Sequence, residues 1–343
     1  MPRPKLKTWL SLAISLACLA YVLRELDFGR LWELARQVNP LYVAWINVLF
    51  ALCMAVRTRR WQVLMRPVVK APFAPLFSAN LIGFMANNIL PARVGELVRG
   101  WAGSRLAGLP VSAALGTIVV ERLLDVTVLL GFLLVMLLFL DPGGRAEGIG
   151  VEYLHAAGWS LLTGYLIALA VMAALVAWPR AAISLGVKLA AKGSARLGER
   201  VESLLVSFTQ GLATLGQGRA LLHLLGLSVL VRVPILGMHY FFLPAVGLPQ
   251  SLFLAAMATL GHLTALTIPA GPGYLGTYQL GVFWALLLAG APREPALAYT
   301  VIFWAAQYFP IVLAGLVETW RHGLALSSLS RQGRELARRG PDA

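Results

Sequence analysis

Val111–Leu140 reads VSAALGTIVVERLLDVTVLLGFLLVMLLFL. A helix that crosses a bilayer needs about 20 apolar residues. This run is long enough, yet it holds Glu121, Arg122 and Asp125. Ionisable groups at membrane depth are costly, so by default they mark a polar pathway or site. On a helix, Glu121 and Asp125 share a face at i, i+4, and Arg122 reaches Asp125 at i, i+3. Two readings stay open. One is a self-neutralising structural cluster, such as an ion pair pinning two helices, since buried pairs are often architectural. In the other, Arg122 meets an anionic headgroup while the two acids orient it, because a planar guanidinium can bind two phosphate oxygens.

The composition agrees with a membrane setting. Of 343 residues, 59% are hydrophobic and only 13% charged, with a mean hydropathy of +0.75; soluble domains carry about 25% charge. We read an all-α polytopic membrane protein with one transmembrane domain over residues 1–320, and no tract long enough for a second globular domain. A net charge of +14 would point to nucleic acid in a soluble protein. Here it is assigned to loops facing the cytoplasm, and no nucleic-acid partner is expected. Cys18 and Cys53 fall in apolar helices and read as inert core residues; no disulfide or zinc spacing exists, and neither metal nor cofactor is expected. Met1–Lys7 is basic and precedes an apolar run. Without a small-residue cleavage site, it reads as the start of an uncleaved first helix.

The apolar runs are Leu6–Leu23, Leu41–Met65, Leu76–Leu90, Val111–Leu140, Tyr153–Trp178, Ala220–Val246, Leu252–Pro269, Tyr274–Ala289 and Ala296–Trp320. Leu76–Leu90 is too short to span, holds two Asn and ends at Pro91, which fits a re-entrant half-helix. Arg57–Lys70 carries Arg57, Arg59, Arg60, Arg66 and Lys70 and no acid, and residues 179–219 and the tail 321–343 are also rich in Arg and Lys. Asp141–Glu152 has three acids and one Arg. The positive-inside rule therefore predicts both termini in the cytoplasm, with about eight crossings and one or two re-entrant or broken helices; Leu252–Ala289 is the second candidate hairpin. Leu197, Val201, Leu204, Leu205, Phe208, Leu212 and Leu215 form a helical stripe flanked by basic residues. It predicts a cytoplasmic amphipathic helix, lying either on anionic lipid or on the ends of the bundle.

Two further strings interrupt the apolar pattern. In Asn87–Arg99, Pro91 stops the short helix and Gly95 permits a bend or close approach. Arg93, Glu96 and Arg99 follow at three-residue steps on one helical face, beside Asn87 and Asn88. A helix starting after Pro91 would also aim backbone N–H groups at an anion. In Thr267–Gln279, three Gly and two Pro separate a pair of apolar runs. Between membrane segments this reads as a broken helix that exposes backbone polar groups to substrate, with Gly271, Gly273 and Gln279 as candidate contacts. His262 reads as a hydrogen-bonded core residue or a titrating group. Arg232 and Gln307 are further intramembrane polar candidates, and His239 is expected near the outer interface.

Taken in order, Leu90–Arg99, Glu121–Asp125 and Pro269–Gln279 resemble the flippase-like integral membrane family related to the transmembrane region of lysylphosphatidylglycerol synthase, over about Leu6 to Trp320. The resemblance implies a bacterial inner-membrane protein that handles anionic or lipid-linked headgroups and moves them between leaflets. It carries over site roles for Arg93, Glu96, Arg99, Glu121, Arg122, Asp125 and Gly273. Gln279 departs from the pattern, since relatives often hold an acid there, so any proton or amine role of that acid is lost. Full-length synthases append a soluble aminoacyl-transferring domain, which the sequence through Ala343 lacks; the expectation is lipid handling without lysine transfer.

The leading expectation is a flippase, not an enzyme, with an Arg-lined cavity. Arg93, Arg99 and Arg122 would bind phosphate, and Glu96, Glu121 and Asp125 would orient them or exchange protons. The substrate would be an anionic phospholipid or lipid-linked headgroup. One alternative is a non-catalytic membrane partner of a lipid or envelope biosynthesis enzyme. Another is a lipid-modifying enzyme using Glu121 and Asp125 as an acid–base pair, although no Ser/His/Asp set or sugar-nucleotide domain accompanies them.

Overall fold

The computed structural model describes residues 15–21, 27–90, 94–139, 178–191, 218–266 and 270–324, with isolated positions at 13, 24, 159–170 and 194–202. The regular elements among them are all helical. A short amphipathic helix, α1 (Phe28–Gln37), is capped by Asp27, whose carboxylate accepts the backbone N–H groups of Gly29 and Arg30. Asn39 caps the next helix, α2 (Pro40–Met65), which carries Pro40 at its first turn, where a missing N–H costs nothing. The remaining helices are α3 (Phe73–Ile89), α4 (Gly95–Ala107), α5 (Val111–Phe139), α6 (Pro179–Ala191), α7 (Gly218–Phe242), α8 (Leu252–Ala265), α9 (Thr277–Leu288) and α10 (Arg293–Arg321).

Among the described residues, three stretches are long and apolar enough to cross a membrane: Pro40–Met65, Ala220–Val246 and Arg293–Arg321. At 1.5 Å per residue, helices of 26 to 29 residues reach roughly 40 Å. Helix α5 is as long, at 29 residues, but carries the charged triplet. Trp45, Val48, Leu52, Val229, Val233, Phe309 and Leu313 are exposed on these long helices. In water such a belt would be a large apolar liability; in a bilayer it faces lipid.

Two pairs of shorter helices break the pattern. Helix α3 has 17 residues and returns as α4, with 13; α8 has 14 and returns as α9, with 12. At roughly 18–26 Å each, these arms fall short of a full crossing. Both hairpins close at a pair of glycines. A Cβ on Gly83 would sit 2.7 Å from the Arg99 Cβ, and one on Gly95 would strike the Gly83 carbonyl. In the second hairpin, a Cβ on Gly261 would strike the Gly281 carbonyl, and one on Gly281 would come within 2.8 Å of the Gly261 carbonyl. Where neighbouring lipid is as apolar as the protein, close backbone approach of this kind is what holds helices together. The turn of the second hairpin, Pro272–Tyr274, packs on α3 of the first, so the tips meet. Leu76–Leu90, expected as a half-helix, is thus one arm of a helical hairpin.

Helix α2 packs along α7, and α10 runs along α3 and α9. Pro310 interrupts α10 and frees the Ala306 carbonyl one turn earlier; the Asn47 side chain donates to that oxygen at 3.3 Å. One expectation needs correction. The positive-inside reading places Arg57, Arg59 and Arg60 among the cytoplasmic charges, but all three lie inside α2, and Arg60 is wholly buried. The 26-residue helix runs straight through them because buried acids on α5 neutralise Arg60. The 141–152 loop, most of the 197–215 stripe and the tail from 325 lie outside the described residues, as does much of the first helix.

Candidate functional site

Among the described residues, two polar features inside the bundle bear on function. The first is an ion cluster built from α5 outward. Glu121 and Asp125 project from one face of that helix, as their spacing requires, and both are buried. Glu121 Oε2 accepts from Arg99 of α4 at 2.9 Å and lies 3.6 Å from Arg60 of α2. Asp125 Oδ1 accepts from Arg60 at 2.8 Å and lies 3.5 Å from Arg232 of α7. Arg232 also donates to the Asp125 backbone carbonyl at 3.1 Å, and Arg60 to the Ser228 hydroxyl at 3.0 Å. Asn80 of α3 joins by accepting from Arg99 at 3.4 Å and donating to Thr58 at 2.9 Å. The Arg99 guanidinium lies over the Trp61 ring, 4.7 Å from its centre, a favourable cation–π placement. Five helices are thereby tied at one point.

The cluster corrects the expected assignments. Arg122 was expected to be oriented by both acids. Its side chain keeps the expected i, i+3 pair with Asp125 at 3.7 Å, but it is 52% exposed and its nearer partner is Glu96 at 3.1 Å. Glu121 and Asp125 turn inward to Arg60, Arg99 and Arg232. Glu96 and Arg99, three residues apart on α4, diverge: Glu96 meets Arg122 at the rim and Arg99 goes to the interior. The anion site expected at the start of α4 is partly occupied by the protein itself, since the Gly95 N–H donates to Asn87 Oδ1 at 2.9 Å. Arg93 lies outside the described residues.

The second feature is a cavity where the hairpin tips meet, holding about 870 Å³ of empty space, some of it open to the surroundings. Arg57, Asn87, Asn88, His262, Gly273 and Gln307 bring polar groups to its wall, with Phe84, Tyr274, Trp304 and Tyr308 among its aromatics. Trp304 and Tyr308 are stacked, with ring centres 4.6 Å apart. Gln307 and its neighbours fall in the middle of the 29-residue α10, which puts the cavity at the depth of the bundle's centre. Arg57, one turn before Arg60, makes no ion pair among the described residues; it lies 5.4 Å from the Phe84 ring centre, and its Nε is buried without a hydrogen bond.

The tip of the second hairpin explains its composition. Gly273 has φ +65°, and a Cβ there would fall 2.6 Å from the Tyr308 ring. Its carbonyl accepts from Trp304 Nε1 at 2.9 Å. Tyr274 follows at φ +56°, a left-handed conformation that is strained for a bulky residue. Gln279 and Gly271 do not reach the cavity. Gln279 Oε1 accepts the Gly276 N–H at 2.7 Å, and the Gly271 N–H donates to the Ser15 hydroxyl at 2.7 Å. His239, expected near the outer interface, lies in the last turn of α7 and is wholly buried among its neighbours.

Sequence reasoning thus brought Asn87, Asn88 and Gly273 to the cavity, and Glu121 and Asp125 to the cluster. It missed Arg57 and Arg60 as site residues. The signal was present: both fall inside the apolar run Leu41–Met65, too deep for a loop. Among the described residues, no group of three His, Cys, Asp or Glu side chains could hold a metal ion.

The family model described as the lysylphosphatidylglycerol synthase transmembrane region matches residues 8–315, which takes in both hairpins, the cluster and the cavity. The chain belongs to this family. Among similar proteins, the UPF0104 membrane protein MJ1595 of Methanocaldococcus jannaschii is 29% identical over 131 residues, 37% of this chain and 39% of the relative. MJ1078 of the same organism is 20% identical over 237 residues, 67% of this chain and 91% of the relative. A UPF0104 membrane protein of Methanothermobacter thermautotrophicus is 27% identical over 117 residues, 33% of this chain and 35% of the relative. The match thus spans under two fifths of the first and third of these relatives. No solved structure matches the chain. Family membership and the apolar helices together make this a multi-pass membrane protein.

Proposed function

We propose that the protein moves an anionic phospholipid or lipid-linked headgroup between the leaflets of a cell membrane, without changing it chemically and with both protein termini in the cytoplasm. The observation that carries this reading is the cavity between the hairpin tips, with Arg57 on its wall and no acid to pair it among the described residues. Arg57 is half-buried, and a guanidinium partly withdrawn from water gains when an anion meets it. A phosphate entering the cavity supplies that anion, while its acyl chains stay in the lipid outside the apolar belt. Two broken helical hairpins meeting around a central cavity are also how transporters build a substrate site within the bilayer. The ion cluster serves the site indirectly: by locking Arg60 it holds α2 so that Arg57 faces the cavity.

The test uses purified protein in sealed liposomes containing headgroup-labelled phosphatidylglycerol, with a membrane-impermeant quencher outside. Native protein is expected to expose inner-leaflet label faster than empty vesicles do. Arg57→Ala is expected to lose most of that rate, and Arg122→Ala to lose less. Native transport by a correctly folded Arg57→Ala protein would refute the assignment of the cavity.

A further inference from the structure

One wall of the cavity is backed by a chain of polar groups that transport of a phosphate does not require. His262, on α8, is half-buried and lines the cavity. Its Nδ1 lies 3.0 Å from Nε2 of His239, whose own Nδ1 lies 2.8 Å from the Tyr299 hydroxyl. His239 and Tyr299 are wholly buried, and Phe303 stacks on the His239 ring with centres 4.5 Å apart. Beyond Tyr299, the hydroxyl's other partner is the backbone carbonyl of His239 itself, at 3.5 Å. The row therefore closes on itself at one end and opens on the cavity at the other. It does not run on to a surface, so its use lies at His262.

Hydrogen counting limits what His262 presents. Only one hydrogen fits between the facing nitrogens of two imidazoles. In one arrangement, Tyr299 donates to His239 Nδ1, His239 Nε2–H donates to His262 Nδ1, and His262 Nε2 carries a hydrogen. In the other, His262 Nδ1–H donates to His239, His239 Nδ1–H donates to the Tyr299 oxygen, and the Tyr299 hydroxyl turns to the His239 carbonyl. His262 Nε2 is then a bare acceptor. Both arrangements hold the same number of hydrogens and no net charge. The neighbouring groups are of similar kind. Asn87 Oδ1 is taken by the Gly95 N–H and Asn88 Nδ2 by the Phe84 carbonyl. That leaves the Asn87 amide as a donor and the Asn88 oxygen as an acceptor.

We propose that His262 is a headgroup-selecting residue, positioned by His239 and Tyr299, and that the cavity takes a phosphodiester whose head carries hydroxyl groups in preference to one carrying an ammonium. A hydroxyl both donates and accepts, so it is met by His262 in either arrangement and by the two amides. An ammonium only donates, so it is met by His262 in one arrangement alone and by the Asn88 oxygen, leaves the Asn87 amide unmatched, finds no carboxylate on the described wall, and is repelled by Arg57. The inference rests on the lipid-headgroup reading of the cavity.

The test is lipid retention by purified full-length protein, read by native mass spectrometry, with phosphatidylglycerol, phosphatidylethanolamine and phosphatidic acid offered at equal concentration. Native protein is expected to favour phosphatidylglycerol over phosphatidylethanolamine by roughly tenfold, the effect of one or two hydrogen bonds. His262→Phe is expected to bring that ratio towards one while phosphatidic acid, held by its phosphate, is retained as before. His262→Gln keeps a donor and an acceptor and is expected to keep most of the preference. Tyr299→Phe, remote from the ligand, is expected to lower the preference and to change the tautomer-sensitive ring 15N resonances of His262. Competition by soluble glycerophosphoglycerol as strong as by phosphatidylglycerol would mean that the head alone is recognised; weaker competition would mean that the lipid is. Either result sustains hydroxyl recognition.

An unchanged ratio in His262→Phe overturns the assignment. So does loss of the preference in His262→Gln, which serves if the Phe variant does not fold. Native protein that retains phosphatidic acid but shows no preference between the other two overturns the role of His262 alone. Native protein that retains none of the three removes the lipid reading of the cavity with it.

Discussion

Replacing Arg60 by Ala and, separately, Arg122 by Ala separates the buried cluster from its rim. The Arg60 side chain is 0% exposed and holds Asp125 at 2.8 Å and Glu121 at 3.6 Å. Its loss leaves Asp125 with Arg232 at 3.5 Å and the half-exposed Arg122 at 3.7 Å, and Glu121 with Arg99 at 2.9 Å, so neither acid is fully orphaned. Breaking a buried pair costs about 3–5 kcal/mol. With those residual partners, the expected cost of Arg60→Ala is about 3 kcal/mol, at the lower end of that range. Arg122 is 52% exposed in its pairs with Glu96 and Asp125, and half-solvated pairs contribute about 0–1 kcal/mol. The assay is reversible unfolding in mixed micelles, with a double-mutant cycle through Asp125→Asn. Coupling of Arg60 to Asp125 is expected to exceed about 1 kcal/mol, and coupling of Arg122 to Asp125 to fall below about 0.5 kcal/mol. An Arg122→Ala protein less stable than Arg60→Ala would refute the inward orientation of both acids and the place given to Arg60.

Three further outcomes follow from the packing. Gly261→Val drives a branched side chain into the Gly281 backbone; it is expected to separate α8 from α9 and to abolish a folded monodisperse peak in size-exclusion chromatography, whereas Ala at the exposed Gly226 is tolerated. Gly273→Ala combines a left-handed backbone with a Cβ 2.6 Å from Tyr308. A cost of about 1–2 kcal/mol for the backbone alone, with a lower transport rate, is expected from thermal unfolding and the liposome assay together. Gln279→Leu leaves the buried Gly276 N–H without its 2.7 Å acceptor and is expected to cost about 1–3 kcal/mol. Gln279→Glu keeps an acceptor and is expected to lose less, as the same unfolding measurement would show.

The contrast between Gln279 and Glu121 shows how far local reading carries. Glu121 and Asp125 lie four residues apart on one long apolar helix, and the helical period alone puts them on one face. Gln279 was also expected at the substrate. It instead satisfies a backbone N–H three residues away, in a turn whose course depends on Gly276 at φ +88°. No periodic pattern encodes that course.

Composition, run length and interrupted apolar segments were enough to determine an all-helical membrane protein with broken helices near Asn87–Arg99 and Thr267–Gln279. These properties are local: transfer of apolar side chains from water, and the inability of Pro and Gly to continue a helix, act wherever the residues stand. Tertiary structure alone decided which charges meet. Arg60 finds Asp125 across 65 positions of chain, Arg57 is left facing a cavity, and His262 meets His239 and, through it, Tyr299. Each such pairing depends on the rotation and depth at which helices pack, set here by glycine contacts between arms, and a one-dimensional pattern of residue types holds no record of that choice.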